Sequence, residues 1–483
     1  MSQRHDVVIV GAGPNGLAAG CFLARAGPST LVLEAHSQPG GGMRSHALTL
    51  PGFVHDVCST VHPLGIGSPA FRKLELDRYG LGWIESPAPL AHVFDDETVV
   101  TLERSLEATS AQLGVDAEAY EKLMRPFSNE FSSLTRDILG PLSFPSNPWL
   151  LARFGWTALR SMTGLAQRFR DPRTSALLAG MAAHAMLPLD AAATASFGLV
   201  LAIAGHAVGW PLARGGSRAI CEALVTCLKA AGGELQVDHE VRSRKDLPDA
   251  RAYVFDVTPQ QLLRILGEHL PARYAAKLSR FRYGPGVFKL DWALRAPVPW
   301  RNSACARAAT VHIGGSLERM AEATAAANSG RRPERPFVLF VQPSLFDSSR
   351  APAGCHTAWA YCHVPHADTE DMSDAIESEI ERAAPGFRDV VLARSQRNSM
   401  DMERYNANYV GGDINGGLAN LGQLFFRPTA QLDPYRTALS NVFLCSSSTP
   451  PGGGVHGMCG YWAAQSVLQN VFKHSPDNIT TRP

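Results

Sequence analysis

One short stretch near the beginning narrows the choice of fold more than any other. Residues 6–10 (DVVIV) are a β-branched apolar run. Gly11-Ala12-Gly13-Pro14-Asn15-Gly16 follows at once, ahead of LAAGCFLARAG, whose helical pattern ends at Gly27. Strand, glycine turn and helix in this order form the phosphate-binding corner of a βαβ unit. Gly11 permits the tight turn, Gly13 lets a diphosphate approach the backbone, and Gly16 lets the helix pack on the strand. The helix N-terminus, with Pro14 and Asn15 in its first turn, adds unpaired N–H groups and the positive end of its dipole. A second apolar strand, Thr30–Leu33, runs into Glu34 and Ala35. A carboxylate there accepts from ribose hydroxyls and repels a 2′-phosphate, which excludes NADP at this site.

Two further segments favour FAD over NAD. Gln38-Pro39-Gly40-Gly41-Gly42-Met43-Arg44-Ser45 is a second Gly-rich turn carrying a cation. Gly41, Gly42, Met43 and Ser45 are expected along the pyrophosphate and ribityl chain, with Arg44 near the phosphates or the flavin. Near the C-terminus, residues 441–445 (NVFLC) form another short strand before SSSTPPGGGVHGMCGYWAAQSVLQNVF. Gly453, Gly454, Val455 and His456 are expected against a bound ring. A helix over 461–472 would point its N-terminus at the flavin N1–C2=O edge, where negative charge develops on reduction.

The stretches GAGPNGLAAG, LEA, PGGGMRS and PGFVHDVCSTVHPL together resemble the phytoene desaturase and carotenoid isomerase superfamily of flavoproteins. Within it the chain is most similar to the branch named for pyridine nucleotide-disulphide oxidoreductase domain-containing protein 2, although it lacks the vicinal cysteines that this name suggests. The resemblance extends over essentially the whole chain. It implies FAD as cofactor and places Val241 where the backbone holds the adenine. It implies a dehydrogenase, desaturase or isomerase for a largely apolar substrate such as a polyene or isoprenoid, with oxygen or a quinone as electron acceptor.

The expected fold is α/β. A discontinuous Rossmann-type FAD-binding domain would span 1–66, 209–282 and 422–483. An α+β substrate domain over 67–208 and 283–421 would carry a mixed or antiparallel sheet and a helical lid. The alternating runs 337–341 and 356–363 fit antiparallel strands of that sheet, and ELQVDHEV after Gly232-Gly233 fits a strand of the FAD domain. Residues 195–210 are shorter than a membrane span and contain Gly198, Gly205, His206 and Gly209, so they predict a buried or interfacial helix.

The chain has 45 basic and 44 acidic side chains, a balance that argues against nucleic acid as a partner. Its 9 cysteines are scattered without a C-x-x-C pair, which points to a reducing compartment and to neither a zinc site nor a redox disulphide. With no stretch ahead of VVIVG to read as a signal peptide, a cytoplasmic protein is expected. A homo-oligomer is compatible with this composition. Residues 144–169 combine Trp149, Leu150, Phe154, Trp156, Leu159, Met162 and Leu165 with Arg153, Arg160 and Arg168. That pattern suits a core-facing helix or lid, and secondarily a peripheral membrane contact.

Flavin oxidation places the difficult step on the cofactor, so an acid or base is optional. The candidates nearest the FAD segments are His62, His456, Asp413, Asn415 and Tyr461. Each has a structural role open to it: a turn cap for His62, a buried hydrogen-bonded ring for His456, loop bonds for Asp413 and Asn415. An amine oxidase is the rival enzyme, with Tyr461 and Trp462 as members of an aromatic cage and no lysine that the sequence can place. A non-catalytic FAD-stabilised binding protein is the rival of another class.

Overall fold

The computed structural model describes residues 5–474, so the expected boundary at 483 lies outside the described residues. In chain order the main strands are β1 (His5–Val10), β2 (Thr30–Leu33), β3 (Ala88–Val93), β4 (Val99–Leu102), β5 (Glu234–Gln236), β6 (Ala250–Phe255), β7 (Gly286–Leu294), β8 (Ala308–Ile313), β9 (Val338–Val341), β10 (His356–Val364), β11 (Val391–Arg397) and β12 (Val442–Leu444).

One sheet has five strands in the order β12-β6-β1-β2-β5, and every pair is parallel. Its middle strand reads VVIV because helices cover both faces, the condition under which a parallel strand becomes apolar throughout. On one face lie α1 (Pro14–Arg25), a helix over Arg218–Ala230 and the C-terminal helix Met458–Asn470, packed through Leu17, Leu224, Leu228 and Val467. The other face packs Val8, Leu31 and Leu33 on Leu262 and Leu266 of the helix Pro259–Leu266. Pro14 opens α1 at a position where a missing N–H costs nothing. β5 is shorter than the alternation in ELQVDHEV suggests. The chain leaves the strand after Gln236 and turns at Asp238, which has φ of 54°, and His239 N–H then donates to Glu34 O (2.8 Å).

The second sheet has seven strands in the order β11-β7-β10-β9-β8-β3-β4. Only β8 and β3 run parallel; the other neighbours are antiparallel. One face packs on Ile376, Ile380 and Phe387, and the other turns Leu339, Val341, Trp359 and Tyr361 toward the helices between residues 117 and 207. The fold is thus α/β, with a Rossmann-type parallel sheet and a separate mixed sheet.

The apolar segment 144–169 is two helices, Pro148–Ala158 and Met162–Ala166. Leu150, Phe154, Met162 and Leu165 are buried, whereas Trp149 and Trp156 are 87% and 75% exposed. The seven apolar residues therefore do not share one face. Residues 194–207 form the expected buried helix, and among the described residues no helix is long and apolar enough to cross a membrane.

Candidate functional site

A single cavity of about 970 Å³ runs from the carboxyl ends of β1 and β2 to the inner face of the mixed sheet. This is the crevice at which open parallel sheets bind ligands. The first turn contributes Gly11, Gly13, Pro14 and Asn15 to its wall, and β2 leads into Glu34 and Ala35. The second turn adds Gly41, Gly42 and Arg44; Val241 comes from the middle of the chain, and Gly453, Gly454, Val455 and His456 from the C-terminal segment. Segments separated by hundreds of residues thus converge on one space.

Glu34 is the centre of the hydrogen bonding at the end of the cavity next to β1 and β2. Its Oε2 accepts from Ala12 N–H (2.8 Å), and its Oε1 accepts from His36 N–H (3.0 Å) and from Arg44 Nη2 (3.0 Å). Arg44 also donates to Gln38 O (2.7 Å) and lies 5.4 Å from the ring centre of Tyr405. It braces the second turn against the first. Gly40 N–H donates to Ala12 O (2.8 Å), and Tyr405 Oη donates to Gly41 O (2.8 Å).

The remaining sequence candidates fall into two groups. His62 and Asn415 line the cavity. Ser217 Oγ donates to Ser59 O (2.5 Å), so His62 Nε2–H is the donor to Ser217 Oγ (2.9 Å). His456 Nδ1 accepts from Met458 N–H (3.0 Å), which caps the C-terminal helix and leaves the ring proton on Nε2. Burial lowers both imidazoles to about 4, so both are neutral at pH 7. Gly16, Met43, Ser45, Asp413 and Tyr461 do not face the cavity. Gly16 N–H donates to Asp256 Oδ2 (2.8 Å), Met43 is in the core, and Ser45 Oγ donates to Asp56 Oδ1 (2.6 Å). Asp413 is occupied by the amides of Gly284, Asn415 and Gly417 at 2.7, 2.8 and 3.0 Å. Tyr461 turns to the outside of the helix layer, where Lys73 Nζ donates to its hydroxyl (3.0 Å), and Trp462 Nε1 donates to Leu139 O (3.0 Å). The cage expected from Tyr461 and Trp462 is not formed at the cavity.

Several groups at the site were not singled out from the sequence. Asp256, just past β6, is buried between the glycines of the first turn. Burial and the nearby Glu34 raise its carboxyl to about 7, against the lowering effect of the Gly16 amide. A Cβ built on Gly13 would stand 2.6 Å from Asp256 Oδ2. A charged residue closing the apolar run AYVF was the available signal. Lys289 lies behind the wall, with Nζ 4.8 Å from the ring centre of Trp359 and 2.5 Å from Asp291 Oδ1. Trp359, Tyr361, Trp210 and His184 supply the far wall.

The cradle suits FAD by its own geometry. First-turn glycines leave backbone open to a diphosphate, Asn15 Oδ1 is buried without a partner beside them, and an acid ends β2. The Gly453–His456 segment lines the same cavity.

A family pattern described as an NAD(P)-binding Rossmann-like domain matches residues 9–74. The chain is 26% identical to pyridine nucleotide-disulfide oxidoreductase domain-containing protein 2 of Mus musculus, over 98% of this chain and 94% of that protein. It is 24% identical to a phytoene desaturase (lycopene-forming) of Pseudescherichia vulneris, over 93% and 96% of the two chains. A solved putrescine oxidase shares the fold with a TM-score of 0.62 at 17% identity, covering 98% of this chain and 100% of that one. Geometry, family pattern and full-length relatives agree: the chain is an FAD-dependent oxidoreductase, similar along its whole length to members of the superfamily that includes the phytoene desaturases.

Proposed function

We propose that the chain dehydrogenates or isomerises a largely apolar organic substrate, such as a polyene or isoprenoid, held between the flavin and the mixed sheet. The observation that carries this reading is the continuity of the cavity. Its dinucleotide end is polar, and its other end is walled by Phe154, Leu159, Phe197, Val200, Leu339 and Val341. Such a space desolvates a greasy chain and orients one of its bonds toward the cofactor.

When bound, FAD supplies the two-electron chemistry. This chain's residues hold and orient. In this reading the amides of the first turn hold the diphosphate, Glu34 receives the ribose, and Val241 borders the adenine. Gly453, Gly454, Val455 and His456 border the ring system, with His456 Nε2–H as a neutral donor. An imidazole lowered to about 4 is a poor base at pH 7, so His62 and His456 serve as donors and positioning groups. In this reading residues 1–66, 209–282 and 422–483 form the FAD domain, and 67–208 with 283–421 the substrate domain. The strands of each sheet fall inside those ranges. Oxygen or a quinone is proposed as acceptor.

Leu142, Phe144, Trp149 and Trp156 are exposed at 65%, 91%, 87% and 75%, beside Leu139, Leu151 and Leu159 of the cavity wall. An exposed apolar rim at a greasy mouth supports peripheral membrane contact by a cytoplasmic protein. The test is anaerobic bleaching of the purified flavoprotein by a panel of isoprenoids, polyenes and amines, followed by reoxidation with oxygen or a quinone. Bleaching by apolar compounds is expected; bleaching by amines alone overturns the reading.

A further inference from the structure

From the cavity wall inward runs a row of three imidazoles, one half-buried and two buried, that the reading above does not use. His184 sits in the turn after the helix Pro172–Ala182 and lines the cavity; His312 is on β8 and His92 is its cross-strand neighbour on β3. His184 Nε2 and His312 Nε2 are 3.2 Å apart, and His92 Nε2 is 2.9 Å from Gly315 O. His312 and His92 are fully buried, and the Nδ1 of each lacks a partner. Both nitrogens face the same gap over Gly180. A Cβ there would stand 2.7 Å from His312 Nδ1 and 3.0 Å from His92 Nδ1, so a glycine keeps the gap open.

The hydrogen bonds set the direction of the row. A carbonyl only accepts, so His92 carries its proton on Nε2 and leaves a lone pair on Nδ1. Opposite that lone pair, His312 is favoured with its proton on Nδ1, because two lone pairs across one small dry gap repel. His312 Nε2 is then an acceptor and takes the Nε2–H of His184. This leaves His184 Nδ1 as the one atom with which the row can meet a ligand, and it is an acceptor. Burial lowers His184 and His92 to about 4 and His312 further, so the row stays neutral. Among the described residues no three His, Cys, Asp or Glu side chains are grouped to hold a metal ion, which removes that alternative use of the rings.

We infer that His184 is a specificity residue that accepts a hydrogen bond from a neutral hydroxyl on an otherwise apolar substrate. The inference rests on the apolar-substrate reading and narrows it to alcohols. An ammonium head group needs a carboxylate, and those of the cavity, Glu34, Asp137, Glu240 and Asp256, belong to the dinucleotide end or lie beside the rim residues Leu139 and Leu142. Trp210, Tyr361, Thr310 and Asn415, polar side chains that line the cavity with His184, are all uncharged.

The test uses the FAD-loaded enzyme with decan-1-ol, 1-methoxydecane, decane and decan-1-amine as probes. Dissociation constants are read from perturbation of the flavin spectrum and from thermal-melting shifts. The alcohol is expected to bind about tenfold more tightly than the ether, the effect of one hydrogen bond in a dry site. In His184→Phe the alcohol falls to the level of the ether. In His184→Gln, which keeps an acceptor oxygen, part of the preference returns; flavin content shows that both variants fold. Equal binding of alcohol and ether by the wild type, or a preference that survives in His184→Phe, overturns the inference alone. Amine binding as tight as the alcohol overturns its neutral-hydroxyl part. Binding of none of the four overturns the apolar-substrate reading with it.

Discussion

Asp256 shows how one side chain sets conditions on the dinucleotide turn. Its carboxyl is raised to about 7 in the fold, whereas an unfolded chain ionises it near pH ~4. A raised value means that the stabilising effect is complete below pH ~4 and is lost as pH rises through 7. The apo-protein is therefore expected to melt at a lower temperature at pH 8 than at pH 5.5. Asp256→Asn keeps an oxygen for Gly16 N–H, removes the ionisation and should flatten that slope; melting curves that keep the wild-type slope would refute the assignment. The glycines around Asp256 were legible because a phosphate turn demands them at fixed spacing. Asp256 was not, since its meaning comes from a hydrogen bond to Gly16 across 240 positions of sequence.

At the scale of elements, the strand runs were read well because apolar runs and alternation report burial directly. β9 and β10 appear as antiparallel neighbours where alternation placed them. Helix 148–158 was read less well, because an apolar residue in sequence does not reveal which side of the helix will be covered. Trp149 and Trp156 are exposed, so Trp149→Ser with Trp156→Ser should change stability by less than about 0.5 kcal/mol. The same pair should stop the protein floating with liposomes; flotation unchanged by both substitutions excludes this rim as the contact. The imidazole row was invisible for a different reason. His92, His184 and His312 meet only because β3 pairs with β8 under a helix, and no local pattern encodes that pairing.

Across the whole molecule, a buried ion pair links the two sheets' surroundings. Arg350 Nη2 lies 2.8 Å from Asp56 Oδ2, and both side chains are fully buried. Asp56 Oδ1 also accepts from Ser45 Oγ and from Ser217 N–H (2.9 Å). Arg350→Met strands that carboxylate and should cost about 3–5 kcal/mol in urea unfolding; a loss below about 1 kcal/mol would show that the pair is not what joins these parts. Val341→Trp, on the cavity wall, should leave flavin content intact and abolish binding of long apolar probes. Loss of the flavin instead would mean that this wall belongs to the cofactor's space. The parallel sheet carries one more consequence. β6 pairs with β1 on one side and with β12 on the other, and Gly460 packs so tightly on Asn15 that a Cβ there would strike its carbonyl oxygen. Segments that lie far apart in the sequence, around Asn15 and Gly460, are thus adjoining parts of one compartment. A chain halted before residue 440 lacks both β12 and the Gly453–His456 wall, so it is expected to have nothing with which to close on the cofactor.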